Sequence, residues 1–355
     1  MNIITQFTVF DAGIGLETSV YSISRSSGHV TGCFLDSSYV LHGFIRDPVG
    51  NITLFDHPSA GGAPGEGTCG VGINDAGDVV GCYSPDGFYS YGFIRSAVDG
   101  SFATFDSVSG WVTAFGGAWV PNQGFGAINS AGTVAGTFVD SSGYEHGFTG
   151  VRTGITVAIT VIDVGGPTAH TSVCDINESG AIAGYSFTSG GFFGLPGSLT
   201  LFSVSDGGSP PTLYAARAMS INDGGDVAGS IYSGYNQAFV RKADGTFRTF
   251  AGFTNIYCVE INNEGLVTGI NNSGMSNFGL LSLPDGRSFL AFSVPGYAGD
   301  TAPTTNGTRC AGNAGTHGFL ANFSPSTALP HGANCNKYGI SNYPPGCGVL
   351  LGPIK

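Results

Sequence analysis

One pattern recurs seven times along this chain, and it limits the possible folds more than any other feature. The unit reads I-N-x-x-G-x-V-x-G, then a variable turn, then an aromatic-rich strand often opening with H-G-F, then a strand of the form F-x-x-F-D. The anchor glycines are Gly32, Gly81, Gly136, Gly184, Gly229, Gly269 and Gly312, spaced 40 to 55 residues apart. Repeats of this length with several short strands each are the mark of propeller blades. Four strands can be read per unit. In the second they are Cys69 to Ile73, Asp78 to Tyr83, Tyr91 to Arg95 and Phe102 to Phe105. Asn74-Asp75-Ala76-Gly77 and Asp99-Gly100 supply the left-handed backbone that tight turns between strands need.

The two ends of the chain set the expected blade number. The seventh unit has strands around Cys310 to Gly312 and His317 to Leu320. Near residue 331 it then reads Leu329-Pro330-His331-Gly332, with no F-x-x-F and a strand-breaking proline. The missing strand stands at the other end, as Phe7-Thr8-Val9-Phe10-Asp11, which matches Phe102-Ala103-Thr104-Phe105-Asp106. The expectation is an all-β fold over residues 1–322, a seven-bladed β-propeller with four-stranded blades. Its N-terminal strand completes the last blade and removes an exposed sheet edge. Residues 323–355, rich in Pro, Gly and Asn, are expected to lie on the propeller as a C-terminal tail.

Glycine is 60 of 355 residues and only 10% are charged, but 41% are hydrophobic and 26 are phenylalanine. That is enough apolar surface to offset the entropy of ordering a glycine-rich chain. The net charge is -12, with only 12 Lys and Arg. This argues against nucleic acid or an anionic membrane surface as partner. No apolar stretch approaches the ~20 residues of a membrane helix. The start, MNIITQFTVFD, has neither a basic n-region nor a long apolar h-region. Two settings follow: cytoplasmic, or a secreted mature form whose leader has been replaced by Met1. Eight cysteines with no C-x-x-C pair leave disulfides and buried free thiols about equal. If the turn of the second unit closes between Ile73 and Asp78, Cys69 faces Cys82 at a distance a disulfide can span. Cys335 and Cys347 could clip the tail.

Gly72-Ile73-Asn74-Asp75-Ala76-Gly77-Asp78-Val79-Val80-Gly81 and His146-Gly147-Phe148 resemble the HAF-type repeat of extracellular bacterial proteins, over about residues 1–322. The resemblance implies an extracellular setting. It carries no shared catalytic motif.

Other motifs reduce to structure. Gly65-Glu66-Gly67-Thr68-Cys69-Gly70 fits G-x-G-x-x-G, but a strand and a turn follow where a nucleotide site needs a helix. Asn74, Asn129, Asn177, Asn222 and Asn262 recur in the turn between the first two strands, where an Asn side chain bonds local backbone. Asp75, Asp78, Asp223 and Asp226 read the same way, without a D-x-D-x-D-G calcium loop. His42, His146 and His317 share one repeat position on separate blades, too far apart for zinc ligands at ~2.1 Å. They are expected to pack blades and bond a neighbouring loop. There is no G-x-S-x-G, P-loop or H-E-x-x-H. No metal and no cofactor are expected.

In such a fold the first strand, A, lines a channel, and the D–A and B–C loops surround one mouth of it. The connection from Asp106 to about Gly124 departs most from the repeat and holds Trp111, Phe115 and Trp119. These aromatics suit stacking on a sugar or a flat hydrophobic molecule, or else plug the channel. Glu17, Glu66, His170, Tyr214, Arg217, Tyr257, Tyr297 and Asp300 enter strand A at the same mouth. They form an acid–base set if they converge, and a polar rim if they do not. The leading expectation is a binding propeller for a glycan, small hydrophobic molecule or protein. The alternatives are a cofactor-independent lyase or cyclase, and a structural surface repeat that self-assembles.

Overall fold

The computed structural model describes residues 2–88, 90–105, 126–205, 213–232, 236–250, 256–272, 277–282, 289–292, 301–306 and 309–325. Among them are 28 strands and no helix. Antiparallel pairing gathers the strands four at a time in chain order: 15–55, 67–104, 126–162, 171–205, 213–249 and 256–292. A last set combines 301–325 with the N-terminal strand. In each set the strands are A to D in order. The second set runs Gly67–Ile73, Val79–Ser84, Tyr91–Arg95 and Phe102–Thr104, close to the strands read from the sequence. Neighbouring sets touch through short bridges, such as the parallel pair of Leu41 with Gly67.

The repeat is explained by glycines that face rings. The anchor glycine on strand B stands opposite a phenylalanine on strand C: Gly32 opposite Phe44, Gly81 opposite Phe93, Gly184 opposite Phe192, Gly229 opposite Phe239. A Cβ at any of these four would run into a strand A carbonyl (Ser19, Cys69, Ser172 or Arg217) and into the facing ring. The ring therefore fills the space the glycine leaves, and all four phenylalanines are fully buried. Each contributes roughly 1.5–3 kcal/mol of burial free energy. The glycine of H-G-F repeats the device one strand further out: Gly43 lies opposite Phe55 of the F-x-x-F-D strand.

The chain ends follow the same rule. The strand Asn2–Phe10 pairs antiparallel with His317–Pro325, and Phe10 falls opposite Gly318. Phe10 therefore meets Gly318 as Phe55 meets Gly43, although 308 residues separate the partners instead of 12. The last set also packs on the first. Val20, Phe34 and Phe44 share a core cluster with Ala311 and Leu320. The Val20 N–H donates to Asn313 Oδ1 at 2.7 Å, and the Thr18 N–H to the Thr316 carbonyl at 2.8 Å.

Strand A carries one extra residue near its end in four sets, at Tyr21, Val71, Cys174 and Met219. Such a bulge bends the strand and re-aims a side chain. In the second set Ile73 pairs with Val79 rather than Asp78, and the bulge at Val71 restores the register, so Cys69 does face Cys82. The disulfide expected there is not formed, since both are free thiols. The physical reason is orientation: the Cys69 thiol turns to the Gly70 carbonyl at 3.7 Å and to Cys33 of the neighbouring set. Cys335 and Cys347 lie outside the described residues.

Candidate functional site

The A–B turns form one end of the inner strands, and their polar groups are used up by one another. Each repeated asparagine bonds within its own turn, and Asn74, Asn129, Asn177 and Asn222 also reach the next set. Its Oδ1 accepts the N–H four residues on, at Asp78, Thr133, Ala181, Asp226 and Leu266. Its Nδ2 donates to the carbonyl of the next set's asparagine: Asn74 to Asn129 at 3.0 Å, Asn129 to Asn177 at 3.2 Å, Asn177 to Asn222 at 3.0 Å, Asn222 to Asn262 at 3.0 Å. The local half matches the turn chemistry read from the sequence; the half that clasps set to set does not show in one repeat. The acidic neighbours form a second row. Asp75 Oδ1 accepts from the Ser26 and Ser27 N–H groups, Glu178 from Ser130, and Asp223 from Glu178. Among the described residues no cluster of His, Cys, Asp or Glu could hold a metal ion.

Arg25 closes this end. It occupies the first set's A–B turn, where other sets place an acidic residue, Ser or Asn next to the asparagine. Its Nη2 reaches Asp175 Oδ1 at 3.2 Å and the Ile176 carbonyl at 2.9 Å, and its Nη1 the Ile221 carbonyl at 3.3 Å. Those acceptors belong to the fourth and fifth sets, so one side chain ties three sets together.

The repeated histidines are also structural. His146 lies between Asp163, at 2.7 Å from Nδ1, and Asp140, at 3.3 Å from Nε2. His42 likewise lies between Asp56 and Asp36, at 3.0 and 3.6 Å. His317 Nδ1 meets Asp11 at 2.6 Å, so the N-terminal strand also supplies the carboxylate the pattern requires. Burial alone would lower the His146 pKa, but the hydrogen bonds to Asp163 and Asp140 outweigh it and hold the imidazole above its ordinary value. The histidine bonds the end of its own set's D strand and its own B–C turn, rather than a neighbouring blade.

The B–C and D–A end is different. Here Glu145, His170, Ser172, Tyr185, Phe187 and Arg217 form a closed circuit of contacts. The Glu145 N–H donates to His170 Nδ1 at 3.4 Å, which puts a neutral ring's proton on Nε2. The His170 ring meets Phe187 at 5.8 Å. The Arg217 guanidinium sits 5.9 Å from the Phe187 centroid and 5.4 Å from that of Tyr185. Tyr185 pairs with Ser172 across the strands, and Ser172 Oγ donates to Glu145 Oε2 at 3.2 Å. His170 has φ +49, a left-handed backbone costing of order 1 kcal/mol that the surroundings must hold. Phe187 is 56% exposed. Burial, then the neighbouring Cys174, push the Tyr185 phenol up to about 12, so it keeps its proton at neutral pH.

Of the residues expected at this mouth, the structure brings His170 and Arg217 together. Glu17 is exposed on the first set and accepts from its own neighbour Ser19. Glu66 accepts the Ala63 N–H within its own loop at 2.7 Å. Neither belongs to the circuit. Tyr214 and Tyr257 lie on strands Leu213–Ile221 and Ile256–Ile261, with side chains outside the described part. Tyr297, Asp300, Trp111, Phe115 and Trp119 lie outside the described residues. Glu145, Ser172, Tyr185 and Phe187 were missed. The first stands directly before the repeated His146, and Phe187 directly follows a B strand, so reading the B–C loops as well as the entries to strand A would have found both.

Cys33, Cys69 and Cys82 gather where the first and second sets meet. Burial pushes the Cys69 thiol well up and Cys82 up to about 12, so both stay protonated and are poor nucleophiles at neutral pH.

No protein-family model matches the chain, and no curated protein matches it. Solved structures do. A catalytically inactive virginiamycin B lyase from Staphylococcus aureus, with quinupristin, superposes with TM-score 0.55 at 9% identity, covering 89% of this chain and 98% of that one. A prolyl endopeptidase superposes with TM-score 0.53 at 12% identity over 88% of this chain and 51% of that one. A puromycin hydrolase mutant does so with TM-score 0.50 at 14% identity, over 85% and 50%. At such identities the likeness speaks for the fold alone. With the all-β sets described above, the chain has a β-propeller fold.

Proposed function

We propose that this chain is a seven-bladed β-propeller that acts as a binding module, its ligand seated at the B–C and D–A mouth. The blade number is supported by seven four-stranded sets and by the contacts of the last set with the first. One observation carries the site: among the described residues no carboxylate or carbonyl accepts from Arg217, while two rings flank its guanidinium and one of them is exposed. Such a group offers up to five donors beside an aromatic face, the mixture that small-molecule sites use for orientation and contact area. The HAF-type repeat and an extracellular setting belong to the same reading and rest on the repeat residues. Fractionation of the source cells tests the location, and recovery from the cytosol alone overturns it.

Saturation-transfer NMR with pooled metabolites and pooled glycans tests the site and separates ligand classes. The reading expects a saturable ligand whose signal is lost in an Arg217→Gln, Phe187→Ala variant of unchanged melting temperature. A ligand indifferent to that variant, or none from any pool, contradicts it. A second reading, a cofactor-independent lyase or cyclase, is favoured by Glu145, His170 and Tyr185 lying in one circuit, a carboxylate, an imidazole and a protonated phenol. Turnover of the bound ligand, lost in His170→Gln with binding retained, would establish it.

A further inference from the structure

The contact circuit includes both a carboxylate and a guanidinium. From the Glu145 backbone N–H the contacts run through His170 and Phe187 to Arg217; from the Glu145 carboxylate they run through Ser172 and Tyr185 to the same arginine. Carboxylate and guanidinium thus border the same Ser172–Tyr185 pair without an ion pair between them; neither has a charged partner among the described residues. Here the rings of Tyr185 and Phe187 flank the guanidinium, and the Ser172 hydroxyl holds the carboxylate.

Five of the chain's other described arginines show the contrast. Arg25 has a carboxylate and two carbonyls. Arg46, Arg95 and Arg241 each donate to the carbonyl of the following residue. Arg152 donates to Ser101 and Gly154. Arg217 alone of this group keeps its donors for something else.

We infer that the site recognises a small zwitterion of the amino-acid class: its carboxylate on Arg217, its ammonium on Glu145, and an aromatic or large apolar side chain against Phe187. The inference rests on the binding reading above and adds the ligand's charge pattern to it. A guanidinium binds a carboxylate through two parallel N–H bonds. An ammonium has three donors and can use the Glu145 oxygen that Ser172 leaves free. The exposed face of Phe187 supplies the apolar contact.

Isothermal titration with four probes tests this: L-phenylalanine, N-acetyl-L-phenylalanine, L-phenylalaninamide and N-acetyl-L-phenylalaninamide. They carry both charges, the anion alone, the cation alone, and neither. The free amino acid is expected to bind at least about tenfold tighter than either singly charged probe. Arg217→Gln should weaken the free amino acid and the N-acetyl acid about tenfold and leave the amide unchanged, and Glu145→Gln should do the reverse. Melting temperatures of both variants confirm folding. Equal binding of all four probes, or tightest binding of the neutral one, overturns charge recognition but leaves the binding face standing. No binding by any of the four also overturns the inference, and the pooled screen then decides the broader reading separately.

Discussion

Arg25 and Arg217 both stand on inner strands or their turns, and their surroundings could hardly differ more. Arg25 reaches across to Asp175, Ile176 and Ile221 and satisfies groups on two distant sets. Arg217 is flanked by two rings and meets no acceptor among the described residues. The same contrast holds for the two ends of the fold. At the A–B end the repeated asparagines bond their own turns, and Asn74, Asn129, Asn177 and Asn222 also bond the next set. At the B–C end a phenylalanine is exposed and a histidine backbone is held left-handed. Closeness to the centre of a propeller thus says little about function. What separates scaffold from site is whether the polar groups already have partners.

The largest effect should come from breaking the clasp. Asn177→Ala removes bonds from the Ala181 and Ser179 N–H groups and the Ser179 hydroxyl, and the bond to the Asn222 carbonyl, at a buried position. Urea denaturation should show a loss of about 3 kcal/mol, from four lost bonds and the buried groups left unpaired. A loss under about 1 kcal/mol would mean the clasp is decorative.

Arg25→Met should cost about 1–2 kcal/mol, because Asp175 loses its cation but keeps the Ser220 hydroxyl and the Ile221 N–H. Arg217→Met should stay within about 0.5 kcal/mol. Equal costs for the two arginines would erase the comparison.

A smaller effect is expected in pH dependence. The His146 pKa is raised in the folded chain. Its ion pairs therefore stabilise fully below the unfolded value of about 6.5, and this stability is lost as pH rises through the folded value. Thermal melts of the wild type across pH 5.5 to 8.5, compared with His146→Gln, should show this slope only in the wild type.

Much of the scaffold was legible because it repeats. Gly81 and Phe93, or His42 and Asp56, recur in the same order in several units, so each copy vouches for the others, and the displaced strand at Phe7 to Asp11 could be recognised by the same letters. The expected Cys69–Cys82 disulfide shows the limit: register can be counted along a sequence, but the direction a thiol turns depends on a bulge and on Cys33 in another set. The site was half legible. His170 and Arg217 stood where inner strands begin, whereas Glu145 and Phe187 matter only because two neighbouring sets bring their loops side by side. Arg25 was visible as the one basic residue beside the repeated turn position, yet its partners lie 150 and 196 residues away.

Native-state hydrogen exchange of the unliganded chain tests most directly whether one end is closed and the other left open. The amides capped by the repeated asparagines, at Asp78, Thr133, Ala181, Asp226 and Leu266, should exchange together and only through global unfolding. The amides of Phe187 and Thr188, on longer bonds of 3.3 and 3.4 Å at the opposite end, should exchange many-fold faster through local opening. Similar rates at the two ends, or faster exchange at the asparagine turns, would contradict the account.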